Sequence, residues 1–192
     1  LYGGQPLVGK SCFDSDCKAY PFLAVNYITA PPRMALYMAY SRRVYEVYLQ
    51  FVSKEDIHVY SVDEVFMDLK PYERIYQKSS RALAEEICRR VYEEVGMIAT
   101  VGLGENLYLA KVAMDIEAKH MQASKEGIRL AMLTEQSYRE SLWQHKPLHD
   151  FWRIGRGIEN RLAHYGIYTM GDIAMAALSG SKEKKNQVLL YK

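Results

Sequence analysis

The tightest restriction on this chain lies between Ile57 and Leu69. Here two runs rich in β-branched and aromatic residues, Ile57–Val62 and Val65–Leu69, flank the adjacent carboxylates Asp63 and Glu64. Such side chains suit the pleated, half-buried surface of a strand, and two runs with a short polar break predict a hairpin. Adjacent residues on a regular strand point to opposite faces, whereas a turn can bring both to one side. The tip would then present two carboxylates together. Hard cations such as Mg²⁺ take carboxylate oxygens, keep several waters and use one or two protein carboxylates alongside substrate phosphates. Asp and Glu are equally ordinary turn and surface residues, so the motif alone leaves both readings open.

Upstream, residues 1–24 show no sustained period. Gly3, Gly4, Gly9, Ser11, Asp14, Ser15 and Asp16 break every short apolar run, and the stretch reads as irregular. Leu23–Ile28 predicts a short strand, which Pro31-Pro32 ends before opening a helix. In that helix Tyr37, Tyr40, Val44, Val47 and Phe51 form one apolar stripe over roughly five turns, which reads as core packing. Downstream of the hairpin, Arg81–Val95 carries Leu83, Ile87, Val91 and Val95 on one face, with Gly96 as its stop. Met97–Leu103 is a further strand, Gly102 and Gly104 mark a turn, and Leu107–Ala118 is a second amphipathic helix.

The order strand, helix, hairpin, helix, strand, helix predicts an α+β fold: an antiparallel or mixed sheet with helices on one face. Composition shifts near Trp143–Pro147, a predicted boundary. Beyond it Leu148–Trp152, Ile158–Tyr165 and Thr169–Ala177 predict a small all-α module punctuated by Gly155, Gly157, Gly166 and Gly171. Ser179–Lys185 is polar and charged, and Val188–Lys192 reads as the start of a further helix. There is no internal repeat.

A hydrophobic fraction of 49% in 192 residues fills the core of one ordinary domain or two small ones and excludes a disordered tail. Lys and Arg number 25 against 23 Asp and Glu, so bulk charge does not advertise nucleic-acid binding and any basic surface must be local. Cys12, Cys17 and Cys88 are too few for a disulfide framework. With no His near Cys12 and Cys17, small hydrophobic thiols are the simpler reading over zinc. No apolar run approaches the ~20 residues of a membrane span and no signal peptide is visible, so a cytoplasmic location without membrane contact is expected. The chain opens on Leu1, and the expectation is a piece of a longer protein.

Two further segments can carry chemistry. Val101–Asp115 combines a strand, two glycines and a helix bearing Lys111, with Lys119 just beyond; helix-start amides and lysines can engage an anion such as a triphosphate. Lysines on a solvated helix face need no function at all. In Phe151–Ala174, a glycine-bearing hairpin between short helices lets backbone amides approach a phosphate without reading sequence, and Arg153, Arg156 and Arg161 concentrate charge there. A generic helical interaction module is the alternative.

These segments, in this order, resemble the Y-family DNA polymerases, specifically the bacterial UmuC/DinB group of translesion enzymes. Tyr60-Ser-Val-Asp-Glu-Val-Phe-Met-Asp68 is similar to the family's Tyr-Ser-Ile-Asp-Glu-Ala-Phe-Leu-Asp hairpin. Val101–Lys119 is similar to the family's Gly-Ile…Asn…Leu-Ala-Lys…Ala segment at the end of the palm. Phe151–Ala174 resembles its helix-hairpin-helix thumb, and Thr29–Tyr37 the start of the palm helix. The resemblance implies a polymerase palm over 25–146, a helix-hairpin-helix thumb over 147–192 and a remnant of the fingers over 1–24.

By that resemblance Asp63 is a ligand of catalytic Mg²⁺ in a two-metal site, and Glu64 completes the carboxylate set that positions the primer 3′-hydroxyl. Lys119 approaches the incoming deoxynucleoside triphosphate, although it falls one residue beyond the family's usual spacing, with Lys111 as alternative or supporting partner. Arg153, Gly155, Arg156 and Gly157 would contact primer-template DNA. A sliding clamp would engage a region outside this chain, and the parent would be a bacterial, nucleoid-associated enzyme.

Two departures stand out. The family's first metal-binding Asp, on an N-terminal strand followed by aromatics, has no good counterpart. Asp16 with Tyr20 is the nearest imitation, so the expectation is that this carboxylate lies upstream and that the chain alone is inactive. Arg153 stands where the thumb hairpin usually has glycine. A non-catalytic DNA-binding or scaffold homologue is the principal rival, and a palm-like nucleotidyltransferase or cyclase without the thumb a weaker one.

Overall fold

The computed structural model describes residues 4–124 and 126–179, so the expected helix start at Val188–Lys192 lies outside the described residues. The backbone divides into two compact units, Leu1–Tyr37 and Met38–Lys192.

The first unit is more ordered than its glycines and aspartates imply. Strand β1 (Gly9–Ser11), helix α1 (Asp14–Ala19) and strand β2 (Leu23–Val25) form a small parallel strand pair joined by a helix, with Gly9 opposite Leu23 and Ser11 opposite Val25. The irregular reading of residues 1–24 is therefore corrected. Strands of three residues are too short to display a period, and their order comes from pairing. Helix α1 is charged to suit its dipole, with Asp14 and Asp16 in the first turn and Lys18 in the last.

Helix α2 (Met34–Tyr48) stops before Phe51, and of the predicted stripe only Val47 is fully buried. Tyr37 and Tyr40 are 47% and 38% exposed, so core packing holds for the C-terminal half of the stripe and fails for the rest. The hairpin is present as β3 (Ile57–Val59) and β4 (Val65–Met67), paired antiparallel with His58 opposite Phe66. A short α3 (Tyr72–Tyr76) leads to α4 (Ser80–Val95). The Ser79 hydroxyl accepts from the Ala82 amide at the start of α4, and Gly96 closes it at φ 76°.

Strand β5 (Ala99–Gly104) leads to α5 (Leu107–Val112), and the chain returns as β6 (Ile128–Leu133), parallel to β5 over six residue pairs. Neither β6 nor the following α6 (Glu135–Leu142) stood out from the sequence. Strand β6 is buried on both faces: Ile128 and Leu130 join Leu83, Ile87 and Tyr72 in one core, while Ala131 and Leu133 join Leu109, Val112 and Phe151 in the other. A doubly buried strand has no polar alternation to reveal it. The fold is mixed α+β, but its described strands form three separate pairs, two parallel and one antiparallel, and not a single sheet.

After a 3₁₀ turn at Leu148–Asp150 come α7 (Arg156–Ala163) and α8 (Met170–Ser179). Phe151, 1% exposed, anchors this region in the second core. Thr169 and Asp172 cap α8 reciprocally: the Asp172 amide donates to the Thr169 hydroxyl, and the Asp172 carboxylate accepts from the Thr169 amide. Among the described residues no helix is long and apolar enough to cross a membrane.

Candidate active site

The hairpin loop is closed by the amides of Tyr60 and Ser61, which donate to the Glu64 carbonyl at 3.0 and 3.1 Å. Within it the Ser61 hydroxyl donates to Asp63 Oδ1 at 2.7 Å, fixing an otherwise exposed carboxylate. Glu64 is partly buried and turns toward α5.

What it meets there is Lys111, only 7% exposed. Its Nζ lies 2.8 Å from Glu64 Oε1 and 3.0 Å from Asp115 Oδ2. Desolvation pulls the ammonium pKa down, but the hydrogen bonds it donates to Glu64 and Asp115, reinforced by their charges, outweigh it and raise it. Lys111 is therefore a fixed cation beneath the hairpin.

Lys111 reaches this place because α5 lies directly against β5. A Cβ on Gly102 would stand 1.9 Å from the Ala110 carbonyl oxygen and 2.4 Å from the Met114 amide, and one on Gly104 2.4 Å from the Ala110 amide. These glycines belong to the strand and do not mark a turn, which corrects the sequence reading. The start of α5 is already served, since the Asn106 side chain accepts from the Leu109 amide. That cap takes one of the helix-start amides, the one of Leu109.

Beyond Val112 the helix widens into a π turn at Ala113–Glu117 and then tightens into a 3₁₀ turn at Ala118–His120. A π turn takes in one residue more than an α turn of the same rise. Lys119 Nζ lies 2.6 Å from Asp115 Oδ1 as an i,i+4 pair. Glu64, Lys111, Asp115 and Lys119 thus form one chain of alternating charge. Sequence reasoning gave Asp115 no role; its position four residues from both lysines was the available signal.

Two carboxylates with free oxygens, one exposed and one already countered by a lysine, fit the donor set of a Mg²⁺ ion that keeps waters and substrate phosphates. Among the described residues no three His, Cys, Asp or Glu side chains converge to complete a metal site. Asp16 lies within α1, its Oδ2 accepting from Ser11, and not at the end of a strand.

Next to the hairpin, β4 pairs only with β3 and β5 only with β6 among the described residues. Between the free edges runs a groove of about 110 Å³, floored by Tyr48, Ala84, Ile87 and Cys88 and walled by Met67, Leu69 and 99–103. Burial pushes the Cys88 thiol up to about 12, with help from the Glu85 charge, so it acts as an apolar wall.

In the predicted thumb, Arg153 adopts φ 68°, the left-handed region where glycine is at ease, and its guanidinium stacks 5.1 Å from the Trp152 ring centroid. The side chain is thereby folded back and does not cover the following loop. Gly155 precedes α7 with no side-chain cap, and a Cβ at Gly155 or Gly157 would meet nothing within 4 Å. Arg156 is exposed beside them. The loop is bracketed by His149 Nδ1 and Glu159 Oε2, 2.5 Å apart, and the Trp152 indole donates to the Tyr60 hydroxyl at 3.1 Å.

Residues 17–115 match the impB/mucB/samB family. The putative UV-damage repair protein UvrX of Bacillus subtilis (strain 168) is 31% identical over 153 residues, covering 80% of this chain and 34% of that protein. DNA polymerase IV 2 of Halalkalibacterium halodurans is 29% identical, covering 82% and 36%. The crystal structure of DinB from Sulfolobus solfataricus superposes with a TM-score of 0.60 at 22% identity, covering 92% of this chain and 48% of that one. An insertion ternary complex of Dbh DNA polymerase gives a TM-score of 0.61 at 22% identity. The chain spans about a third of the length of these curated relatives. With more than half of its residues inside the matched region and a palm-like α+β fold around an Asp-Glu hairpin, the chain belongs to the impB/mucB/samB family, the UmuC/DinB group of Y-family DNA polymerases.

Proposed function

We propose that this chain supplies the palm (25–146) and thumb (147–192) of a translesion DNA polymerase, with 1–24 belonging to the fingers. The polymerase adds deoxynucleotides to a primer 3′-end opposite damaged template. The observation that carries the reading is the Asp63–Glu64 hairpin held from below by Lys111, which orients Glu64 while Asp63 stays open to solvent.

Asp63 and Glu64 would hold Mg²⁺, which when bound neutralises charge developing on the attacking and leaving oxygens of phosphoryl transfer. Lys119, 48% exposed, is free to exchange Asp115 for the phosphates of an incoming nucleotide. Lys111 is too enclosed for that and acts through Glu64. Catalysis by these groups is positioning and electrostatics. The open space over Gly155 and Gly157, with Arg153 and Arg156 alongside, suits a DNA backbone. The groove between β4 and β5 suits an extended strand, whose amides would satisfy both free edges and whose side chains would cover the apolar floor. We assign the remaining carboxylate to such a strand, and any clamp contact to a region outside this chain.

The test is Asp63→Ala in the longest polypeptide that carries this sequence. Template-directed primer extension in Mg²⁺ is expected to disappear while DNA binding survives, and normal extension refutes the reading. The 192-residue chain alone is expected to bind DNA without extending a primer. The absence of a third converging carboxylate among the described residues favours one second reading, a DNA-binding homologue whose hairpin is idle. A full-length polypeptide that binds primer-template yet extends nothing would establish it.

A further inference from the structure

We propose that Trp152 and Tyr60 form a positioning bridge that fixes the carboxylate hairpin relative to the Arg153–Gly157 loop, so that seating a DNA backbone on the loop sets the geometry of the hairpin. The inference rests on the polymerase reading above.

The bridge joins segments 92 residues apart. The Trp152 Nε1–H donates to the Tyr60 hydroxyl at 3.1 Å, and the two rings meet edge to face at 5.8 Å and 79°. Phe66 completes a triangle, 5.9 Å from Trp152 and 5.7 Å from Tyr60. Ring packing alone tolerates slippage, whereas a hydrogen bond sets both a distance and a direction.

Both ends of the bridge are tied to the groups that matter. The Tyr60 amide donates to the Glu64 carbonyl, so this tyrosine closes the loop that presents Asp63 and Glu64. Phe66 follows Glu64 by two residues on β4. At the other end Trp152 sits between Phe151, buried in the core, and Arg153, whose left-handed backbone turns the chain sharply toward Gly155. The Arg153 guanidinium also stacks on the Trp152 ring. The indole therefore has little freedom of its own. A displacement of the loop by bound DNA reaches the carboxylates through the ring and the hydroxyl, while Lys111 holds Glu64 from the opposite side.

Neither Trp152 nor Tyr60 needs to touch substrate for this, and both are positioning residues. The experiment uses the longest polypeptide carrying this sequence, with primer-template DNA, one deoxynucleoside triphosphate and Mg²⁺. Trp152→Phe, Tyr60→Phe and the double variant are compared with wild type. Each single change keeps a ring and removes the hydrogen bond. It is expected to lower kcat about tenfold, as a small misplacement does, with primer-template affinity unchanged within about twofold. The double variant should be no worse than the poorer single, because one interaction is lost in all three. Multiplying losses or an unchanged kcat overturn the bridge.

A second readout needs no activity. In the 192-residue chain carrying Trp143→Phe, Trp152 is the only tryptophan left of two. Adding Tyr60→Phe should then change its emission, and unchanged emission shows that the bond does not form in solution. A wild type that extends no primer sinks the polymerase reading and the positioning role together; an active wild type with unaffected variants sinks the bridge alone.

Discussion

In β5, Gly102 and Gly104 lie under a helix so close that a Cβ on Gly102 would stand 1.9 Å from the Ala110 carbonyl oxygen. Before and within the first turn of α7, a Cβ on Gly155 or Gly157 would meet nothing within 4 Å. Gly155 also has φ −92°, a conformation open to any residue. Both pairs read Gly-x-Gly in the sequence, yet only the first is explained by the chain's own packing. The second has room that the protein does not use, which is the expectation for a surface that another backbone approaches.

The largest expected effect comes from Gly102→Ala. The added methyl meets backbone that cannot swing aside, so α5 must lift from β5, at about 3 kcal/mol or more for overpacking of this kind. Thermal denaturation should show Tm falling by roughly 6–12 °C, and Lys111 should lose its place under Glu64. Gly155→Ala should stay within about 0.5 kcal/mol of wild type. Equal losses at the two sites would remove the distinction between the glycine pairs.

Next in size, Gly157→Ala should separate stability from binding. It lies in the first turn of α7, where alanine favours the helix by up to about 1 kcal/mol. Stability should hold or rise while affinity for primer-template DNA, followed by fluorescence anisotropy, falls about tenfold. A variant that is more stable and binds DNA as well as wild type shows that the space over the loop is merely empty.

Arg153 tests the same loop through its backbone. Both Arg153→Gly and Arg153→Ala lose the stack on Trp152, but only alanine must hold φ 68° against its own Cβ. The glycine variant should be the more stable by about 0.5–1 kcal/mol after allowing for its greater unfolded freedom. Equal stabilities would mean that the loop relaxes out of the left-handed region.

Sequence reasoning worked where structure is local. The hairpin at Asp63–Glu64, helix α4 with its Gly96 stop, and the strand-then-helix order around Gly104 all follow from patterns within a dozen residues. It failed where order comes from partners distant in sequence. Strand β6 has no alternation because both its faces are buried, and β1 and β2 are three residues each and exist through pairing. At the site, Asp63 and Glu64 could be read directly. The Lys111–Glu64 pair spans 47 residues and the Trp152–Tyr60 contact 92, and no local pattern encodes either. The π turn at Ala113–Glu117 that precedes Lys119 was likewise not visible in the sequence.

The smallest expected effect concerns how the α7 loop is held, given that its glycines contribute no packing. His149 precedes the loop and Glu159 follows it, so their pair brackets residues 151–157. The hydrogen bond from His149, aided by its charge and by backbone donors, holds the Glu159 carboxyl below the usual glutamate range. A carboxylate depressed on folding stabilises the protein above its unfolded pKa, about 4.3 for glutamate, and that contribution is lost as pH falls through the folded value. Wild type should therefore lose its advantage over Glu159→Gln as pH drops from about 5 into the range below 4.3, read as a shrinking difference in Tm. A difference that stays constant or grows on acidification would show that the bracket does not secure the loop, and that the space over Gly155 and Gly157 depends on the Phe151 anchor alone.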